Sequence, residues 1–176
     1  GAGEQEYALW LDFDAGGGHG HMDALNLGLY ACQLDLMTDM GYPPVNFGGW
    51  NSPKANWYRK TAAHNTVTID GKDQRSNAGR MTRWADGHSI KAMRDAAREV
   101  YDCRQYERSV IAIHCPGGGM YALDVFRVAG GSDHAWFMHS SFATLQTHGL
   151  RLSSAEDFGH NTLMRSFQTD AKPAVG

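Results

Sequence analysis

Tyr106-Glu107-Arg108-Ser109-Val110-Ile111-Ala112-Ile113-His114-Cys115 runs into Pro116-Gly117-Gly118-Gly119 and then Met120-Tyr121-Ala122-Leu123-Asp124-Val125-Phe126-Arg127-Val128. Two runs rich in β-branched and aromatic residues, split by a proline–glycine turn, read as an antiparallel hairpin. The pattern extends outward in both directions. Tyr7, Leu9, Leu11 and Phe13 alternate between Tyr7 and Asp14, as a half-buried strand requires. Leu25, Leu27 and Leu29 alternate too; a short helix is the rival there, and Gly28 lowers its odds. Leu34 to Asp39 reads as a strand stopped by Gly41-Tyr42-Pro43-Pro44. His64 to Lys72 reads as a strand entering a turn, Ser89 to Asp95 alternates, and His134 to His139 follows the turn at Gly130-Gly131-Ser132-Asp133. Arg94 to Val100 has helical propensity, but its strand-like neighbours rank strand first. Val45 to Arg59 reads as a long loop carrying Trp50, Trp57 and Tyr58, and Ser76 to Gly79 as a turn. After Thr144 the pattern weakens. Short strands between turns predict one all-β domain over residues 1–176, an antiparallel β-sandwich.

With 176 residues, the chain is long enough for one sizeable core. A net charge of −3 leaves no basic footprint for nucleic acid. No run of about 18 apolar residues offers a membrane span. Gly1-Ala2-Gly3-Glu4-Gln5-Glu6 lacks an initiator Met and any signal-peptide pattern, so the chain is expected to be processed or part of a longer protein. Cys32, Cys103 and Cys115 have no Cys-x-x-Cys spacing, and their odd number argues for buried free thiols over a disulfide framework.

The chemistry concentrates at His19-Gly20-His21-Met22-Asp23, after Gly16-Gly17-Gly18. Two histidines two apart share one side of an extended chain. Imidazole and carboxylate are ordinary ligands for a zinc-like ion, and strands bring distant ligands together. The candidate ligands are His21, Asp39 and His64. His19 then serves as an acid or base beside the ion, and Asp23 orients a histidine. The bland alternative is chance, since nine histidines make pairs easy. No phosphate-loop Gly-Lys-Ser/Thr and no Gly-x-Ser-x-Gly nucleophile elbow is present. Arg80, Arg83 and Lys91 read as a solvated face before a grip on an acidic sugar. Trp50, Trp57 and Tyr58 suit stacking on a sugar or plain packing equally. His134 and His139 read as structural, with one able to line the site.

The stretch Gly18-His19-Gly20-His21-Met22-Asp23-Ala24-Leu25-Asn26-Leu27-Gly28-Leu29-Tyr30 is followed by Thr38-Asp39-Met40-Gly41-Tyr42. Thr61-Ala62-Ala63-His64-Asn65-Thr66-Val67, Asp70-Gly71-Lys72 with Gln74, and Asp124 to His139 come later. In this order, these motifs resemble the heparinase II/III-like polysaccharide lyases over about residues 12 to 142. The resemblance implies part of a large β-sandwich region whose partner, an N-terminal helical toroid, is absent from this chain. It implies β-elimination on an acidic, uronate-containing glycan of the heparin, heparan sulfate or alginate type. It places the family's zinc ligands on His21, Asp39 and His64 and a catalytic histidine on His19. The catalytic tyrosine is assigned to Tyr58, with Tyr42 behind it. A periplasmic or secreted location is implied as well. Two other readings are a zinc-stabilised carbohydrate-binding sandwich without catalysis and a zinc-dependent hydrolase.

Overall fold

The computed structural model describes residues 6–13, 20–43, 48–49, 52–141 and 146–153. His19, Trp50 and the weakly patterned tail from residue 154 lie outside these. The strands are β1 (Tyr7–Leu11), β2 (Leu27–Ala31), β3 (Leu34–Met37), β4 (Val67–Ile69), β5 (Arg80–Asp86), β6 (Ile90–Ala96), β7 (Gln105–His114), β8 (Met120–Ala129) and β9 (His134–Trp136). All pairings are antiparallel, in sheets ordered β1-β2-β3, β4-β9 and β5-β6-β7-β8. The fold is an all-β sandwich, as the sequence predicts. Among the described residues, the one α-helical element is a single turn, α1 (Pro53–Asn56), and no helix is long and apolar enough to cross a membrane.

The hairpin forms in the predicted place. Gln105 pairs with Ala129 and His114 with Met120 in unbroken register. Gly117, Gly118 and Gly119 all take positive φ, 88° to 102°, which side-chain-bearing residues adopt only at a cost. Tyr106, Arg108 and Val110 point inward and are at most 1 % exposed. Tyr106 and Val110 join Leu11, Leu25, Leu27, Val67, Ile69 and Val100 in the core, flanked by Phe126 and Val128 of β8.

Several sequence readings shift. The alternation at Leu25 starts its strand only at Leu27, because Leu25 lies at φ +63° in a tight turn. Gly28 marks a strand, not a helix: the Trp10 indole lies across it, so a Cβ there would meet the ring at 2.0 Å. Cys32 and Gln33, at φ +54° and +63°, form a two-residue hairpin turn, so Cys32 is exposed where a buried thiol is expected. All three cysteines are free. The expected loop at 45–59 contains α1, whose Ala55 N–H bonds the Ser52 hydroxyl at 3.1 Å, and a 3-10 turn over Trp57–Arg59. Strand structure ends at Ala96, and Arg98–Val100 forms a 3-10 turn. β5 has no counterpart among the strands read from sequence; it is an edge strand, largely exposed, and carries too few buried apolar residues to alternate.

Asp95 on β6 is 1 % exposed, and neither carboxylate oxygen has a hydrogen-bond partner among the described residues. Burial pushes its pKa up to about 6. The unfolded chain ionises Asp95 near the ordinary carboxylate value, so the penalty is absent below about pH 4 and complete above about pH 6. Asp95→Asn should therefore melt at a higher temperature than the parent at pH 7, with the gap closing toward pH 4. Melting curves across that range test this; a gap independent of pH would contradict it.

Candidate metal centre

His64 is placed by the 3-10 turn Thr61–Ala63, which ends with the His64 N–H on the Thr61 carbonyl at 3.1 Å. Asp73 anchors that turn: one carboxylate oxygen accepts from Lys60 Nζ at 2.6 Å and the other from the Thr61 N–H at 3.2 Å. The His64 Nδ1–H donates to the Lys60 carbonyl at 2.9 Å. That contact fixes the tautomer and aims the Nε2 lone pair into the site. His21 arrives on an extended segment pinned where the Met22 N–H meets the Arg59 carbonyl at 3.1 Å. Asp39 follows β3; its carboxylate accepts from the Gly41 N–H at 2.7 Å and from Asn26 Nδ2 at 2.9 Å.

The three side chains meet. His21 Nδ1 lies 3.1 Å from His64 Nε2, and one ligand atom from each of His21, Asp39 and His64 lies within 4.8 Å of the others. Nitrogen ligands of a tetrahedral zinc, at bonds of about 2.0–2.1 Å, sit about 3.3 Å apart. Two neutral imidazoles and a carboxylate with lone pairs to spare thus fit such an ion and leave one position open. Burial, then the neighbouring His64, lowers the His21 pKa. Burial likewise lowers that of His64, against the pull of Asp39. Both rings are therefore neutral near pH 7, the form that ligates. Asp23 Oδ2 is 3.8 Å from His64 Nε2, and burial, helped by Asp12, raises the Asp23 pKa to about 7.

The other sequence candidates separate. Tyr58 is half-buried with its ring edge-on to Trp57 at 5.5 Å, whereas the exposed Tyr42 ring is edge-on to His21 at 6.0 Å. Trp57 in turn meets His139 at 5.8 Å. His139 lies against the loop carrying His64, its Nε2–H donating to the Ala62 carbonyl at 2.8 Å; His134 is exposed and bonds the Gly130 carbonyl. Arg80, Arg83 and Lys91 are exposed, with Lys91 paired to Asp86.

Sequence reading assigns no role to the residues beneath the site. Arg108, fully buried, donates from Nε and Nη2 to Asp124 at 2.9 and 2.6 Å. Its Nη1 donates to the Leu25 carbonyl at 2.7 Å and to the Asn65 carbonyl. Gln74 brackets Ala24, accepting its N–H at 2.7 Å and donating to its carbonyl at 2.9 Å. The Tyr106 hydroxyl accepts from Gln74 Nε2 at 2.9 Å and donates to the Val67 carbonyl. A signal for Arg108 was available: on the hairpin it falls on the inward parity with Tyr106 and Val110, diagonal to Asp124.

An antiparallel sandwich bearing a two-histidine, one-carboxylate pocket defines the class. Residues 12–152 match the family model for the heparinase II/III-like C-terminal domain, and the chain belongs to that family. No curated protein matches it. Among solved structures it is similar to the heparan sulfate lyase HepC from Pedobacter heparinus, at 24 % identity and a TM-score of 0.51 over 60 % of this chain. A mutant of that lyase aligns at 22 % identity with a TM-score of 0.53. The heparinase III-BT4657 gene product aligns at 22 % identity and 0.51 over 61 % of this chain. The aligned part spans 16 % of the length of each of these solved chains.

Arg108→Lys keeps the charge but not the fork, and leaves acceptors unmatched in a dry site. It should cost about 3 kcal/mol of stability. Denaturant unfolding measures this, and an unmoved midpoint would contradict it.

Proposed function

We propose that this domain belongs to a polysaccharide lyase that cleaves a uronate-containing glycan of the heparan sulfate type by β-elimination, with zinc held by His21, Asp39 and His64. The observation that carries the reading is the convergence of those three side chains within a chain of the heparinase II/III-like family. The heparan sulfate lyases among the similar structures support the choice of glycan. Elimination removes the proton on C5 of the uronate, expels the glycosidic oxygen at C4 and leaves a C4–C5 double bond. The proton is acidic enough only when polar groups offset the charge of the adjacent carboxylate. His19 is the assigned base or acid, and a tyrosine is its counterpart. Zinc, when bound, would tie the segments carrying His21, Asp39 and His64 into one frame. A periplasmic or secreted location accords with a polymeric substrate.

The test is ultraviolet detection of the unsaturated uronate product from heparan sulfate and from alginate, using the intact parent enzyme. His19→Ala should abolish turnover with zinc retained. His21→Ala should lose the zinc by metal analysis. Full turnover in His19→Ala would sink the catalytic assignment. Tyr58→Phe and Tyr42→Phe separate the two tyrosines: the catalytic one loses turnover while the zinc content holds.

A further inference from the structure

The geometry points to Asn26 and Asn65 as a paired-amide clamp that positions the metal ligands, an inference that rests on the zinc reading above. Both residues are at most 1 % exposed, yet each uses both ends of its side chain. Asn26 Nδ2 donates to the Asp39 carboxylate at 2.9 Å, and its Oδ1 accepts the Asn65 N–H at 2.8 Å. Asn65 Nδ2 donates to the Leu27 carbonyl at 3.0 Å and to that of Thr38, next to Asp39, at 3.2 Å. Its Oδ1 accepts the His139 N–H at 2.5 Å. One continuous set of bonds thus joins the start of β2, the end of β3, the His64 loop and the segment after β9. The Asp39 oxygen that Asn26 holds keeps a second lone pair for an ion. The amide ends of both asparagines are engaged by protein groups, so both act as positioning residues. An amide suits the role because it donates to Asp39 without adding a charge beside it. Asn26 is the specific link, since among the described residues it alone bridges the Asp39 carboxylate to the residue after His64.

Asn26→Ala and Asn26→Ser in the intact protein test this. Serine is too short to reach Asp39, but leaves room for a water on the Asn65 N–H. Zinc affinity is read by chelator competition, site geometry by the visible spectrum of the cobalt-substituted protein, and the fold by melting without metal. The expected result is a folded, metal-free variant whose zinc affinity falls 10- to 100-fold, with a changed cobalt spectrum. A folded variant with parental affinity and spectrum would overturn the inference. So would loss of the fold even in saturating zinc, which assigns the amide to general stability. Failure of the parent itself to bind zinc is a separate result: it removes the metal reading before any variant is compared.

Discussion

A guanidinium in the dry centre of a β-sandwich is the constraint on which the rest of this structure depends. Arg108 is fully buried, and an ion there costs several kcal/mol unless every donor is matched. The match comes from three directions: the Asp124 carboxylate on the neighbouring strand, the Leu25 carbonyl and the Asn65 carbonyl. The first makes the β7–β8 hairpin self-sufficient. The other two are backbone oxygens in irregular segments, one residue after His64 and four after His21. The most regular part of the fold thereby holds the least regular part in register. It also accounts for Leu25 at φ +63°, a conformation that a branched side chain keeps only when its surroundings over-determine it. Its N–H is taken by Asp12, its carbonyl by Arg108, and its side chain by the core.

Irregular backbone below the surface leaves peptide groups that no strand ladder can satisfy. Around His21, Asp39 and His64 this demand is met by side chains. Gln74 takes both the N–H and the carbonyl of Ala24, Thr66 Oγ1 donates to the same carbonyl, and Asn65 serves the Leu27 and Thr38 carbonyls. Asn26, Asn65, Thr66 and Gln74 are thus buried for the same reason that His21, Asp39 and His64 can lie off the strands: each replaces a missing ladder bond. An apolar core of similar shape would strand those peptide groups at about 1–3 kcal/mol each. The polar network is the condition for placing a loop-borne site inside a sandwich.

The fold was legible wherever burial enforces alternation, and illegible where it does not. The β7–β8 hairpin and β1 declare themselves because one face of each meets the core. β5 does not, since an exposed edge strand puts little constraint on its sequence. The start of β2 was misplaced because its limit is a left-handed leucine, and apolar pattern carries no sign of φ. The three side chains that the structure brings together, His21, Asp39 and His64, were readable as residue types at strand ends, together with ordered family motifs. The supporting amides were not. Asn26, Asn65 and Gln74 look like turn residues in one dimension, and only their burial reveals them as partners of distant peptide groups. The tyrosines show the same limit: the resemblance is read with Tyr58 first and Tyr42 behind it, and the ring contacts, Tyr42 edge-on to His21 and Tyr58 edge-on to Trp57, have no signature in the sequence.

Desolvation sets the chemical character of the site. His21 and His64 face each other at 3.1 Å, so protonating both would set two cations in contact within a partly dry pocket. His64 keeps its single proton on Nδ1, committed to the Lys60 carbonyl. Its Nε2 is left as a pure electron-pair donor, with Asp39 supplying negative potential nearby. A proton on either ring is opposed by burial, and one on His21 by the neighbouring His64 as well. A divalent ion, as proposed for this site, would instead engage both lone pairs at once and be drawn by the carboxylate as well. The burial that lowers the proton affinity of the two histidines would thus weaken the proton as a competitor of the proposed ion, and the 3.1 Å separation of the two nitrogens matches the spacing of two ligands on one such ion. The meeting of His21, Asp39 and His64 is a property of how the loops are held, and that returns the site to the buried amides and to Arg108 beneath them.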